Sequence, residues 1–222
     1  MHYGMSESQP VTTPHDPNQP LQKGEPGPEI ADIREYQSII GSLMYAVSGT
    51  RPDLAFTVTL LSQFFTSPNE EHMQCAKQVL QYLSSTVNWL LHYPRSPTIP
   101  LCLTCYADAS YANSLDDSKS YSGYIAQLED ATISWGSKKQ RSVAVSTTKT
   151  EYMAISLASQ HLIWLLCGLQ LFRGIASTLT SSDIATANHN LDYLLGDIQG
   201  ALELAKNPRI NSRSKQIDVH YH

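Results

Sequence analysis

The sequence predicts a mixed α/β domain preceded by a small three-helix segment. Three observations carry this. Hydrophobic residues make up 41% of the 222 positions, enough to bury a core and to exclude wholesale disorder. The apolar period is helical up to about residue 93 and extended after Pro94, Pro97 and Pro100, so the chain changes class at that linker. Beyond it the order is three strands, a helix, a strand and a helix, a mixed α/β pattern. Other classes fall away. No run of 18 apolar residues occurs, so no transmembrane helix is expected and no membrane partner. The first ten residues are polar and do not read as a secretory signal. The formal net charge is −5, so nucleic-acid binding requires a local basic patch. Four scattered cysteines do not make a disulfide framework and fit reduced thiols in an intracellular protein.

Residues 1–32 contain Pro10, Pro14, Pro17, Pro20, Pro26 and Pro28 among polar residues. This stretch reads as a disordered, extended lead-in. The helical segment, 33–93, comes next. Tyr36, Ile39, Ile40, Leu43, Met44 and Val47 recur at helical spacing and Gly49 closes the first helix. Thr50-Arg51-Pro52 opens the second, with Leu54, Val58, Leu61 and Phe65 as its stripe. Ser67-Pro68-Asn69-Glu70 reads as a capping box for the third, with Met73, Ala76, Leu80, Leu83 and Val87 inward. For every residue of these helices, packing is the better explanation.

In the domain spanning 101–222, Leu101 to Ala107, Tyr121 to Leu128 and Ala131 to Gly136 read as strands, with a Glu129-Asp130 turn between the last two. Ser146 to Phe172 is a long helix with Ile155, Ala158, Leu162, Leu165 and Leu169 on one face. A polar connection runs from Arg173 to Asn190, long for a compact domain. Asn190 to Gly196 reads as a fourth strand and Gln199 to Lys206 as a short helix stopped by Asn207-Pro208.

Three carboxylates stand at element ends. Asp108 lies just past the first strand, Glu151 in the first turn of the long helix, and Asp197 at the end of the fourth strand. Such groups can converge at one sheet edge, where their repulsion is relieved by divalent cations. Oxygen ligands suit Mg²⁺ or Mn²⁺. Glu151 also completes a Thr148-x-x-Glu151 capping box, and Asp108 and Asp197 suit ordinary turns. Spacing alone leaves both readings open.

The words around these residues carry a resemblance. Tyr-Ala-Asp-Ala-Ser (106–110), Asp117-Ser-Lys-Ser-Tyr-Ser-Gly-Tyr124, Ile133-Ser-Trp-Gly-Ser-Lys-Lys-Gln140, Thr150-Glu-Tyr-Met-Ala154 and Gln199-Gly-Ala-Leu-Glu-Leu-Ala-Lys-Asn-Pro208 occur in this order. Together they resemble the ribonuclease H domain of copia-type LTR retrotransposon Pol polyproteins. Ser212 to His222 resembles that domain's next block. Upstream, Tyr36-Gln-Ser-Ile-Ile-Gly-Ser-Leu-Met-Tyr45, Thr50-Arg-Pro-Asp-Leu-Ala55 and Tyr82-Leu83 resemble the tail of the same family's reverse transcriptase.

The resemblance implies an incomplete ribonuclease H-like mixed sheet, with Asp108, Glu151 and Asp197 as catalytic, metal-binding carboxylates of a two-metal site for Mg²⁺ or Mn²⁺. The implied reaction is hydrolysis of the RNA strand of an RNA–DNA hybrid. The implied partners are that hybrid and the remainder of the reverse transcriptase. The implied setting is the cytoplasm, the nucleus or retroelement particles. The family's fourth carboxylate lies in a Leu-Ala-Asp word beyond a fifth strand. That word does not occur before His222, and Asp218 belongs to the preceding block. The domain therefore reads as truncated and its activity as impaired. The alternative is a catalytically dead remnant that binds nucleic acid or protein. Two departures from the family pattern are Ile198 after Asp197, where Asn is usual, and the long 173–190 connection. The polymerase's Tyr-Val-Asp-Asp word is absent.

Positive charge gathers in two places, Lys138, Lys139 and Arg141 after the third strand, and Lys206, Arg209, Arg213 and Lys215 near the C-terminus. The first group, with Ser110, is the candidate phosphate contact; a solvated turn explains it equally well. Cys102-x-x-Cys105 has metal-like spacing, but an odd offset in a strand sends the two thiols to opposite faces. His161 and His220-x-His222 read as incidental.

Overall fold

The computed structural model describes residues 9–16, 21–23, 32–93, 102–179 and 193–196, with side chains of the long helix described to residue 172. The chain divides into two compact units, 1–91 with 114–118, and 92–113 with 119–222.

The first unit is helical. Helix α1, Ile33–Gly49, starts where the pattern predicts because the Asp32 side chain accepts from the Arg34 and Glu35 N–H groups. It buries Tyr36, Ile39, Ile40 and Leu43, while Met44 is half exposed. The predicted second helix is split into a 3-10 turn, Pro52–Leu54, and α2, Ala55–Ser62. Leu54, Val58 and Leu61 are buried as predicted, but α2 ends at Ser62 and the chain tightens there, with the Phe64 N–H bonded to the Leu61 carbonyl and the Phe65 N–H to that of Ser62, so Phe64 is buried and the predicted Phe65 is not. Helix α3, Glu70–Ser85, is capped by Asn69 and not by Ser67. Its inward residues are His72, Met73, Cys75, Ala76, Val79 and Tyr82, in place of the predicted Leu80, Leu83 and Val87. Arg51 clasps Asp53 with bonds of 3.0 and 2.7 Å and reaches Thr86 at 2.7 Å, which ties the second helix's entry to the end of α3.

The described parts of the lead-in carry no helix or strand, as its composition predicts, yet they are held against α3. Val11 N–H donates to Ser85 Oγ, Gln78 Nε2 to the Thr13 carbonyl, and Leu21 is buried.

The second unit is a four-stranded sheet in the order β3-β2-β1-β4. Strands β1, Leu103–Ser110, β2, Tyr121–Leu128, and β3, Ala131–Lys139, form an antiparallel meander. β4, Tyr193–Leu195, returns parallel to β1. The four predicted strands are present with shifted limits: β1 begins at Leu103 and not Leu101, and β4 stops at Leu195 before Gly196. β1 runs three residues beyond its predicted end and so contains Asp108, and β3 continues through Lys139. Helix α4, Thr147–Leu179, takes up the first seven residues of the predicted 173–190 connection. The predicted 199–206 helix, Asp197, and the basic residues from Lys206 to Lys215 lie outside the described residues.

Strand alternation decides what faces what. Cys105, Ala107 and Ala126 pack against Tyr152, Ile155 and Ala158 of α4, with Tyr124, Leu162, Leu165 and Leu194 around them. These small side chains let α4 lie close on the sheet. The other face carries Tyr106, Ile125 and Leu195, which lie in register across three strands and are 42–46% exposed. By length and composition alone Thr147–Phe172 is long and apolar enough to cross a membrane. Its first half is a core helix, whereas Ile163, Trp164, Leu171 and Phe172 are exposed.

Gly136 is required by a close approach. A Cβ there would stand 2.7 Å from the Tyr124 ring, which also stacks at 4.3 Å on His161. Gly136→Ala should therefore displace Tyr124 and destabilise this unit by about 1–3 kcal/mol, the usual range for overpacking. Urea denaturation is the measurement.

Candidate metal and nucleic-acid site

Asp108 and Glu151 come to the same end of the sheet by different routes. Asp108 is the sixth residue of β1 and pairs with Gly123. It is exposed and alternates with Ala107, so it shares the face of Tyr106. Gly123 opposite it has no side chain, although a Cβ would fit there without a clash. The β2 neighbour therefore leaves the space beside Asp108 open.

Glu151 comes from the helix that covers the other face, and it is buried. The predicted capping box does not explain it. Thr148 is already helical, and Ser146 Oγ accepts from the Lys149 N–H at 3.2 Å, which places Glu151 in the second turn of α4. The residue before it, Thr150, is fixed to the sheet end. The Thr150 carbonyl accepts from Gln140 Nε2 at 3.0 Å, and Thr150 Oγ1 lies 3.3 Å from Ser120 Oγ.

Two carboxylates offer hard oxygen donors of the kind Mg²⁺ takes. The third predicted ligand, Asp197, is outside the described residues. Among the described residues no group of three His, Cys, Asp or Glu side chains is placed to hold a metal ion.

The predicted basic cluster lines a cavity of about 250 Å³. Lys138, Lys139, Gln140 and Arg141 line it from the end of β3, with Ser156 and Gln160 of α4 facing them. Lys138 and Arg141 are exposed, and Ser110, also exposed, ends β1. Burial and the nearby Lys138 hold the His161 imidazole below its ordinary pKa. Sequence reasoning found these cations but gave no role to Gln140, which is buried beside them and ends the Ile133–Gln140 word.

The Cys102–Cys105 pair resolves as strand alternation predicts. Cys105 is buried and its thiol is pushed up to about 11 by that burial. It is a packing residue of the α4 face.

No protein-family model matches the chain. It is 38% identical over 218 residues to the retrovirus-related Pol polyprotein from transposon RE1 of Arabidopsis thaliana, across 98% of this chain and 14% of that protein. It is 35% identical over 227 residues to the corresponding polyprotein from transposon TNT 1-94 of Nicotiana tabacum, across 99% of this chain and 16% of that protein. A third relative has a different name: secreted RxLR effector protein 161 of Plasmopara viticola is 45% identical over 130 residues, which are 59% of this chain and 90% of that protein. The chain thus spans about one-seventh of the two polyproteins it matches almost end to end, and it belongs to the copia-type retrovirus-related Pol polyproteins of transposons.

Proposed function

We propose that the second unit is a ribonuclease H-type domain that hydrolyses the RNA strand of an RNA–DNA hybrid, and that the first unit is the tail of the reverse transcriptase. The observation that carries the reading is the arrival of Asp108 and Glu151 at one end of a β3-β2-β1-β4 sheet whose last strand runs parallel to its central one. In this proposal Asp108, Glu151 and Asp197 hold Mg²⁺ or Mn²⁺. Two bound ions would supply an activated water and a stabilised leaving oxygen. Ser110, Lys138, Lys139 and Arg141 hold backbone phosphates, which positions a duplex without reading its sequence. The remainder of the reverse transcriptase is the proposed protein partner.

A second reading is a Pol-derived module that binds without hydrolysis. The similarity to a protein named as a secreted effector favours it, because 90% of that protein lies within the match. One assay separates the two. The full chain is incubated with a labelled RNA–DNA hybrid in Mg²⁺ and in Mn²⁺. The hydrolase reading expects cleavage of the RNA strand that Asp108→Asn and Glu151→Gln each abolish. Cleavage that survives Glu151→Gln would refute the site. Salt-sensitive hybrid binding with no cleavage in either metal would favour the second reading.

A further inference from the structure

We propose that Gln140 is a positioning residue for Glu151, clamping the opening turns of α4 to the end of the sheet and so fixing where the Glu151 carboxylate stands. The inference rests on the hydrolase reading above. Gln140 directly follows β3 and is 7% exposed. Its backbone N–H donates to the Ser120 carbonyl at 2.8 Å. Its Nε2 donates twice, to Ser122 Oγ at 2.9 Å and to the Thr150 carbonyl at 3.0 Å. One side chain thereby joins β2, β3 and α4.

Ser120 closes the clamp from the other side. Its hydroxyl accepts from the Ala112 N–H at 2.9 Å and lies 3.3 Å from Thr150 Oγ1. Thr150 is fully buried between these partners, one residue before Glu151. The clamp thus joins three of the sequence words, those ending in Gln140, containing Ser120 and Ser122, and beginning with Thr150.

The orientation of the amide is decided by chemistry. A carbonyl can only accept, so the Gln140 nitrogen must face Thr150. Gln140 Oε1 is then left buried with no hydrogen-bond partner. An amide that leaves its own acceptor unsatisfied is a costly way to fill space. What the position uses is the pair of donors. Their effect on chemistry runs through Glu151, since a misplacement of about 1 Å in a catalytic group can cost about 10²-fold in rate.

The test uses the full chain. Gln140→Met keeps the volume and removes both donors, Ser120→Ala opens the other side of the clamp at smaller structural cost, and Ile155→Val lowers stability from within the same helix. Melting temperature is followed against millimolar Mg²⁺, and kcat and KM against the hybrid. The wild type should gain stability with Mg²⁺. Gln140→Met should lose most of that gain and at least about tenfold in kcat with KM little changed, while Ile155→Val keeps both. Ser120→Ala should lose part of each, which decides the matter if Gln140→Met does not fold. A Gln140→Met or Ser120→Ala chain with the wild-type Mg²⁺ gain and kcat overturns the positioning role and leaves the hydrolase reading intact. A wild type with neither Mg²⁺ gain nor cleavage overturns both.

Discussion

Ile39→Ala should lower the stability of the helical unit by about 2–5 kcal/mol, the range for deleting a buried aliphatic side chain that leaves a cavity. Met44→Ala, five residues along the same helix, should change it by less than about 0.5 kcal/mol. Both residues belong to the apolar series that marks α1 in the sequence, so composition cannot rank them. The structure does. Ile39 and Ile40 are wholly buried, with Leu43 one turn on, whereas Met44 is 49% exposed. The Tyr36 hydroxyl donates to the Leu61 carbonyl at 2.8 Å inside the same core. That bond fixes α1 against α2 and limits how far the helix can collapse into a void. Urea denaturation of the two variants, read by far-ultraviolet circular dichroism, makes the comparison. Equal losses would mean that the helix buries its whole apolar series, and the assignment of faces would be wrong.

The regions where the sequence was easiest to read are those with one dominant signal. β2 matches its predicted limits, Tyr121–Leu128, because the Glu129-Asp130 turn stops it, and that turn holds Glu129 at a φ of 53°. α1 has both a cap and a stripe. The errors arise where a second element covers a helix. α3 has covering chain on a side that apolar spacing does not mark, since the lead-in reaches His72, Cys75 and Gln78. A buried polar His72 is invisible to a hydrophobic pattern, and so is a proline-rich segment that docks without forming regular structure. Of the candidate site, Asp108 and Glu151 were legible because each stands in a recognisable word near an element end. Their relation to the sheet faces was not legible, because it depends on whether Asp108 lies inside β1 or beyond it. The role of Gln140 was hidden for a different reason. Its partners are contributed by β2 and α4, so the hydrogen bonds exist only once those elements have met.

His72 makes the helical unit sensitive to acid, and lowering the pH from about 7.5 to about 5, across the ordinary histidine range, should weaken it measurably. Its Nδ1 accepts from the Asn69 N–H at 3.0 Å, while its own N–H donates to Asn69 Oδ1 at 3.0 Å. The proton must therefore sit on Nε2, which faces the Gln22 carbonyl at 3.0 Å. The ring also stacks on Phe64 at 3.7 Å. A second proton on Nδ1 would oppose a backbone N–H and break the capping box that starts α3. Burial lowers the His72 pKa, against the pull of the Gln22 carbonyl, Glu71 and Asp116. His15, 3.4 Å from the Cys75 thiol, is lowered by burial as well, opposed by Asp16. A histidine whose folded pKa is depressed binds its proton more readily when unfolded. Its contribution is thus complete above the unfolded value of about 6.5 and is lost as the pH falls below it, until the folded group also titrates. His72→Gln separates this effect from general acid denaturation. Glutamine can keep the capping box but cannot titrate, and it gives up the ring stack, worth about 0.5–1.5 kcal/mol. The variant should be less stable than wild type at the upper end of that pH range, and the gap should narrow or close at the lower end. Parallel stability profiles for the two proteins across the range would show that His72 is not the acid-sensitive group.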